Sequence, residues 1–582
     1  MHYSLFLFTF VPVLIHLKRI ILLLFVFGCS QLFAQSTYFR VDDERVNFYM
    51  DYLDVKGKHK KIHTELKPFL RTDLVKSRWY DTPLKLRTSE LPKDLINRIQ
   101  KNLLLNYTYS ETKDSQALRD KPILKTFYKT ESEFLHYGGK DFDVFVNPVI
   151  GFESGSNSVG NYSRNSRGAE IKGHIGNKIG FYTYLTDNQV RYPEYLSDKI
   201  NEEGVVPRQG FWKPFKKDGF DYFDARGYIT FSPIKQVKMA FGNDRNFIGN
   251  GYRSLILSDY AKDYLNLKIQ TNVGKVSYQN LFMELHNYSP LLGNTLLPKK
   301  YAATHRLGVN LGDWGNIGLF ESIIFSRGDS MGNQGGFDFA YLNPIIFYRS
   351  VEQNLGSKDN AILGLDFKAN IKRRLSFYSQ FVLDEFRLEH IKANDGWWAN
   401  KYGIQAGLKY FNILGTDFHA QVEYNMVRPY TYAHTFQDQS YSHYGQPLAH
   451  PLGANFEEFI GIVRWVPSNT FKKSNRLFVT GKIILANKGS DSSLNNTSNY
   501  GGNIFASNGT RVQEFDNVLL QGVQQKLTIA SVEISYMPWH NIYLDFSVHS
   551  RNLLSDLKSQ DSDNSLIRVA LRYNIGRLKL DF

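Results

Sequence analysis

The chain has 582 residues, a formal net charge of +14 and an aromatic content of 15%, with 43 Phe, 36 Tyr and 44 Gly. This composition is typical of a β protein with many turns, and a long all-β chain often forms one domain. The mean hydropathy of −0.36 argues against helical membrane spans in the mature chain. Lys and Arg are not grouped with aromatic residues as on a nucleic-acid platform, so we expect no nucleic acid as partner. An acidic polysaccharide or a lipid phosphate is a partner that fits the positive net charge better.

Residues 1–34 are predicted to be a secretory signal. Lys18 and Arg19 precede an apolar stretch, and the predicted cleavage follows Ala34. The only cysteine of the sequence, Cys29, lies inside this signal. The processed chain would therefore have no disulfide, thiolate metal site or cysteine nucleophile, and we expect it to reach the outer membrane.

Residues 35–135 are predicted to form a small, partly helical periplasmic segment. Helices are expected over Glu44–Val55 and Ser89–Leu104. In the second, five apolar residues share one face and Ser89 can cap the first turn. The basic run Val55–His63 between these helices predicts a solvated loop.

From about residue 136 to 582 the pattern changes to alternation with a period of two. In 418–426, apolar residues alternate with His419, Gln421, Glu423 and Asn425, and 541–548 and 567–575 behave likewise. Such alternation gives each strand one apolar and one wet face. In a soluble sandwich the apolar face is a core, whereas in a membrane barrel it faces lipid.

The lengths of the connections favour the barrel. We count about 18 strands, whose joints alternate between short and long, eight of each kind. In outer-membrane barrels the short turns face the periplasm and the long loops face outward. The predicted long loops are Asn188–Asp221, Asn246–Asp263, Tyr288–Lys300, Arg327–Asn360, Glu385–Asn400, Arg428–Asn455, Asn487–Leu519 and Ser550–Ser565. The sequence thus predicts an all-β, antiparallel transmembrane β-barrel.

The C-terminus is predicted to continue the last alternating strand. Phe582 is preceded by Leu580 and Leu578 at spacings of two and four. An aromatic terminus on such a strand resembles the signal by which outer-membrane barrels are recognised for insertion. The charged residues Arg568, Arg572, Glu423 and Asp545 are expected to form networks on the lumenal wall.

Aromatic and basic residues in three loops are the candidate sugar contacts. Aromatic faces pack on sugar rings, and cations pair with acidic sugars. The aromatic residues could instead pack one loop on another or form a girdle at the membrane interface. In Phe241–Ile269 a loop anchored to the inner wall is the alternative to ligand contact, and no GxxxxGK[ST] phosphate loop is present. The candidates are Trp212, Lys213, Lys216, Lys217, Trp397, Trp398, Asp244, Arg245 and Arg253.

The sequence nominates no catalytic residue, metal or cofactor. His434, His443 and His450 share one predicted loop, but their spacings of nine and seven residues match no metal-ligand pattern. Catalytic motifs with fixed spacing are also missing from the sequence. We therefore expect a protein that is not an enzyme.

Two segments resemble a known family. "GNDRNFIGNGYRSLILSDYA" carries Asp244-Arg245, a Gly-x-Gly and the run from Ser254 to Ser258, and "FDFAYLNPIIFYRSVEQNLGSKDNAILGLDFK" carries Asn343-Pro344 and Asn360–Asp366. These segments resemble Wzi-type capsule-assembly outer-membrane proteins. The resemblance implies an eighteen-stranded barrel that acts as a surface lectin. Asn246-Phe247 departs from the family's tryptophan-rich spot, and "TELKPFLR" (Thr64–Arg71) looks nearer to RemB-like gliding-motility relatives.

The function predicted from these observations is non-catalytic binding of capsular polysaccharide or exopolysaccharide at the cell surface through long extracellular loops. One alternative is a gliding or secretion-associated barrel with a protein partner. A porin-like channel and a barrel hydrolase are the others. Outer-membrane lipid is the expected surrounding in each case.

Overall fold

A closed antiparallel barrel of eighteen strands dominates the computed structural model. The structure describes residues 37–57, 63–71, 126–128, 133–139, 141–157, 160–176, 178–287, 297–327, 335–344, 347–348, 350–351, 359–467, 476–491 and 498–582. The strands are β1 Phe142–Asn157, β2 Asn161–Ile175, β3 Ile179–Arg191, β4 Gly219–Ile234, β5 Val237–Asp244, β6 Tyr264–Val273, β7 Val276–His286, β8 Lys299–Asn310, β9 Gly315–Phe325, β10 Asn360–Ile371, β11 Leu375–Glu385, β12 Lys401–Tyr410, β13 Phe418–Val427, β14 Phe456–Trp465, β15 Leu477–Ser490, β16 Val523–Trp539, β17 Ile542–Ser555 and β18 Ser562–Tyr573.

The barrel closes between its first and last strands. Tyr573 of β18 lies opposite Ile150 of β1, and Leu566 lies opposite Asn157. Two short strands, Leu135–Gly138 and Lys213–Phe215, pair with β1 and β4. Closure leaves no free sheet edge, which a membrane-spanning sheet requires. The predicted fold class and strand number are confirmed.

The two faces of each strand differ in the way the alternation predicts. On β13, Val422 and Tyr424 are exposed, whereas Glu423 and Asn425 are buried in the lumen. On β17, Phe546 is exposed and Ser547 is buried. The apolar residues therefore form an outer belt that fits hydrocarbon, and the polar ones line the inside.

The connections separate by length, but several outer loops have bounds other than those predicted; the first predicted long loop runs over 192–218 rather than Asn188–Asp221. Only three residues join β1 to β2, so this outer connection is short. The last outer loop spans 556–561 rather than Ser550–Ser565, because β17 and β18 extend further than their apolar pattern indicates. Their outer ends carry polar residues such as Asn552 and Asp563, which still pair in the ladder.

The N-terminal segment contains helix α1, Glu44–Val55, as predicted. Asp43 caps it by accepting a hydrogen bond from the Val46 N–H (3.1 Å). Two further helices, α2 Glu194–Glu203 and α3 Leu388–Ala393, lie in outer loops. Among the described residues, the helices are too short or too polar to cross a membrane. The predicted signal and the predicted helix Ser89–Leu104 lie outside the described residues.

The predicted extension of the last strand to Phe582 is wrong. Strand β18 ends at Tyr573, and Asn574 adopts a left-handed conformation with φ of 55°. Leu580 and Phe582 are then buried in a cluster that includes Tyr162 and Leu566. The tail turns into the lumen because its apolar side chains find protein partners there.

Candidate functional site

Three segments occupy the lumen of the described barrel: the N-terminal residues 37–57 and 63–71, which we call the N-terminal segment, the loop 245–263 and the C-terminal residues 574–582. Leu66–Lys67 pairs as a short strand with Phe247–Ile248 of the loop. The tail meets the same loop, since the Tyr260 and Phe582 rings lie 5.3 Å apart. The lumen is thus filled from both ends by segments that hold one another.

The apolar run of loop 245–263 forms the centre of this filling. Leu255, Ile256 and Leu257 are fully buried. The Ser254 hydroxyl accepts hydrogen bonds from the N–H groups of Ile256 and Leu257 (3.1 and 3.2 Å), which fixes a turn before the run. The loop therefore packs inward, as its predicted attachment to the inner wall requires.

Two of the three candidate contacts in this region, Arg245 and Arg253, serve that packing. Arg245 is buried and donates to the Arg208 carbonyl. Arg253 pairs with Glu458 (3.4 Å) and Asp581. Burial opposes the charge of Arg253, but these two carboxylates outweigh it and raise its pKa. Asp244 ends β5 and is half-buried.

Loop 192–218, at the outer end of the barrel, holds Trp212 and the three candidate lysines. Trp212 is half-buried, donates to the Gly204 carbonyl (3.2 Å) and packs edge-on against Phe220 at 4.7 Å. Lys213, Lys216 and Lys217 are exposed. The structure therefore leaves the three lysines open to solvent at this end of the barrel, with Trp212 packed behind them.

The other candidate tryptophans lie where loop 386–400 meets residues 498–522, the described part of the loop between β15 and β16. Both indoles donate to the same Glu514 carboxylate oxygen, Trp397 at 3.3 Å and Trp398 at 2.9 Å. The Arg511 guanidinium lies over the Trp398 ring at 4.4 Å. The His390 ring stacks on Trp397 at 4.5 Å. We call these five residues the tryptophan cluster.

The tryptophan cluster offers hydrogen bonds more readily than ring stacking. Arg511 and His390 already cover one face of each indole. Hydrogen bonds from Arg511 hold the pKa of Glu514 below its usual range, so its carboxylate stays charged. A carboxylate, a guanidinium and an imidazole beside half-exposed rings can bind sugar hydroxyls and acidic sugars.

Sequence reasoning missed Glu514, Arg511 and His390. Glu514 lies more than a hundred positions from the tryptophans, and nothing in its local sequence indicates the pairing. Trp397 and Trp398 lie between two loops, and the Trp398 N–H donates to the Glu514 carbonyl (3.0 Å). This position favours loop packing over a girdle. Loops 192–218 and 386–400 follow β3 and β11, eight strands apart, so they leave nearly opposite sides of the barrel.

The lumenal charges form wall networks, as predicted. Arg568 pairs with Glu153 (3.2 Å), and Arg572 pairs with Asp545. Glu423 accepts hydrogen bonds from the backbone of loop 245–263. His434, His443 and His450 have separate partners, such as Glu458 for His450 (2.7 Å).

Comparison with known proteins concerns the fold. No protein-family model matches the chain, and no curated protein matches it. Wzi, an outer-membrane protein involved in group 1 capsule assembly in Escherichia coli and described as a carbohydrate-binding β-barrel, is 13% identical, with a TM-score of 0.54 over 93% of this chain and 100% of Wzi. OprD of Pseudomonas aeruginosa is 10% identical, with a TM-score of 0.39 over 74% of this chain and 94% of OprD. OccK8 (OprE) of the same organism is 8% identical, with a TM-score of 0.40 over 75% and 98%.

Proposed function

We propose that this outer-membrane barrel binds capsular polysaccharide or exopolysaccharide at the cell surface without catalysis. The observation that carries the proposal is the contrast between its lumen and its outer end. The lumen holds three protein segments, whereas the outer end presents exposed lysines and the tryptophan cluster. The likeness to the fold of Wzi, which is described as carbohydrate-binding, supports it.

Binding is assigned to two loop surfaces. Lys213, Lys216 and Lys217 attract acidic sugars, because exposed ammonium groups act as point charges without fixed geometry. The tryptophan cluster supplies oriented donors and acceptors that select hydroxyl patterns. We expect acidic glycans to bind more tightly than neutral ones, and salt to weaken their binding.

The experiment measures retention of acidic and neutral bacterial surface polysaccharides on the purified, detergent-solubilised barrel. Replacing Lys213, Lys216 and Lys217 with Ala should weaken binding of acidic glycans about tenfold at low salt, since exposed ion pairs are each worth a few-fold. The matched control replaces Lys235, Lys275 and Lys372, three exposed lysines at periplasmic turns, and should bind normally. Equal binding by the two triple variants, or no retention of any glycan, contradicts the proposal.

Two further measurements separate the alternatives. A porin-like channel predicts steady ion conductance of the unmodified barrel in planar bilayers, whereas a filled lumen predicts little. A gliding or secretion role predicts that deletion cells lose motility and keep their polysaccharide. Polysaccharide holding predicts instead that deletion cells shed it into the medium.

A further inference from the structure

A row of polar residues faces outward on β7, β8 and β9, where lipid-facing residues are expected. Asn280 lies opposite His305, and His305 lies opposite Glu321. Along the same strands, Leu307 and Leu319 continue this outward alternation and are exposed. The three polar side chains are nevertheless 5% exposed or less. Something other than lipid therefore covers this part of the outer wall.

The cover comes from the outer loop between β9 and β10. We call its described residues 335–344, 347, 348, 350 and 351 the strap. The Tyr348 N–H donates to the Glu321 carboxylate at 2.8 Å, and the Tyr348 ring lies 3.9 Å from the His305 ring. Tyr341 and Phe337 pack in the same way on outward apolar residues of the wall, Phe282, Ala303, Ile323 and Phe325.

The strap is held at its root by ionic contacts. Arg327, just after β9, pairs with Asp338 (3.0 Å) and with Asp359 (2.8 Å), just before β10. The Tyr341 hydroxyl donates to the same Asp359 (2.7 Å). These bonds direct the loop down the outside of the barrel instead of over its mouth.

Two local turns pair part of the strap's backbone. Its short 3₁₀ helix, Phe339–Leu342, is capped by Asp338, whose carboxylate accepts from the Ala340 N–H at 3.0 Å. The Ser350 N–H donates to the Phe347 carbonyl (3.1 Å). Irregular backbone survives next to hydrocarbon only when its polar groups are paired or covered by protein.

The outer face of the strap is apolar. Phe339 and Phe347 are 80% and 64% exposed, and Leu342 is exposed as well. The wall beside it continues with exposed Leu363 and Leu365 of β10. This apolar surface is continuous with the lipid-facing belt, and a soluble loop would seldom present two bare phenyl rings to water.

We propose that the strap lies in the outer leaflet and that its outer face contacts lipid acyl chains near the head groups. The strap replaces lipid over the polar row of β7–β9, where a charged or polar group facing hydrocarbon is destabilising. Its partner is thus the membrane itself, bound by Phe339, Leu342 and Phe347. The strap is anchored there and does not take part in glycan binding.

The test uses single nitroxide labels in the full chain reconstituted in lipid bilayers. Cys29 is replaced by Ser, and cysteine is introduced by Phe339→Cys or, separately, Phe347→Cys; exposed positions of this kind tolerate the change. Leu365→Cys on β10 is the lipid reference, and Phe436→Cys, in the loop between β13 and β14, is the water reference. Collisions of the label with oxygen, which dissolves in lipid, measure its exposure to lipid. Collisions with a water-soluble nickel complex measure its exposure to water.

Both strap labels are expected to have an oxygen-to-nickel accessibility ratio several-fold above that at Phe436, although below that of Leu365, which lies deeper in the bilayer at the middle of β10. A ratio equal to that at Phe436 overturns the proposal, because the strap would then lie in water. Strong dipolar broadening that disappears on dilution with unlabelled protein also overturns it, because a second copy would then cover the strap.

Discussion

Glu65→Gln should loosen the N-terminal segment inside the lumen. Glu65 lies fully buried between Arg306 of β8 (3.1 Å) and His63 (3.0 Å). Its backbone carbonyl accepts from the Gly249 N–H (2.8 Å), so the side chain anchors the point where the N-terminal segment meets loop 245–263. The substitution keeps the size of the side chain and removes its charge.

The free-energy cost of Glu65→Gln depends on the partners that Arg306 retains. Removing one partner of a buried ion pair costs about 3–5 kcal/mol when the other charge is left alone. Here Arg306 retains two hydrogen bonds to Asp366 (2.9 and 2.7 Å) and is not left alone, so we expect a smaller cost of roughly 2–3 kcal/mol. If docking of the segment is local, its amide protection should fall by about 30- to 150-fold.

Hydrogen exchange followed by mass spectrometry measures this directly, in peptides covering 63–71 and 245–250. Glu44→Gln, which removes a charge from an exposed position on α1, is the matched control and should leave exchange unchanged. The pKa of Glu65 is lowered because Arg306 and His63 outweigh its burial. The stability that Glu65 adds to docking of the segment is therefore fully present above the pKa of a glutamate in the unfolded chain, ~4.3. It is lost as the pH falls toward the pKa of Glu65 in the folded chain. Equal exchange in Glu65→Gln and Glu44→Gln at neutral pH would refute the anchoring argument.

Two other changes test the remaining contacts in the lumen. Asp581→Asn should release the C-terminal tail to carboxypeptidase, because the carboxylate pairs with Lys482 (2.9 Å) and Arg253, whereas Asp563→Asn at the outer rim should not. Burial lowers the pKa of Lys67 to about 8, so the folded chain binds fewer protons than the unfolded chain between that pH and ~10.4. Amide protection of the segment, corrected for intrinsic exchange, should rise across this window, and Lys67→Met should abolish the rise.

Much of the barrel could be predicted because a strand with one lipid-facing side must alternate. The run Phe418–Val427 shows this, since Phe418, Val422 and Tyr424 are exposed, whereas the polar residues between them are buried. Helix α1 was predictable for a similarly local reason: a 3.6-residue pattern begins directly after a capping residue, Asp43.

The tail could not be predicted in this way. Leu578, Leu580 and Phe582 have the spacing of a lipid-facing strand, but apolar residues with that spacing can equally pack in a lumen. The outcome depends on partners distant in sequence, such as Lys482 and Arg253 for Asp581. The same holds for Trp397 and Trp398, whose shared acceptor, Glu514, lies in another loop.

The polar row under the strap did leave a trace in the sequence. In "GNIGLFESIIF", Glu321 occupies the same face as Ile317, Leu319, Ile323 and Phe325. A carboxylate at an outward position signals a covered patch, provided that the register is known. Alternation by itself cannot distinguish this from an ordinary irregularity, because it says nothing about which loop folds back.

The outer loops therefore pack in different places, some in the lumen and some elsewhere, and this limits which of them can bind a ligand. Loop 245–263 packs into the lumen with the N-terminal segment and the tail, so its arginines are engaged by Glu458, Asp581 and the Arg208 carbonyl. If the strap is anchored in lipid, its residues are also engaged. Loops 192–218 and 386–400 and residues 498–522 then remain as the described surfaces that combine exposed cations with aromatic rings. Variants aimed at glycan binding belong there, and substitutions of Arg245 or Arg253 should alter stability before they alter recognition.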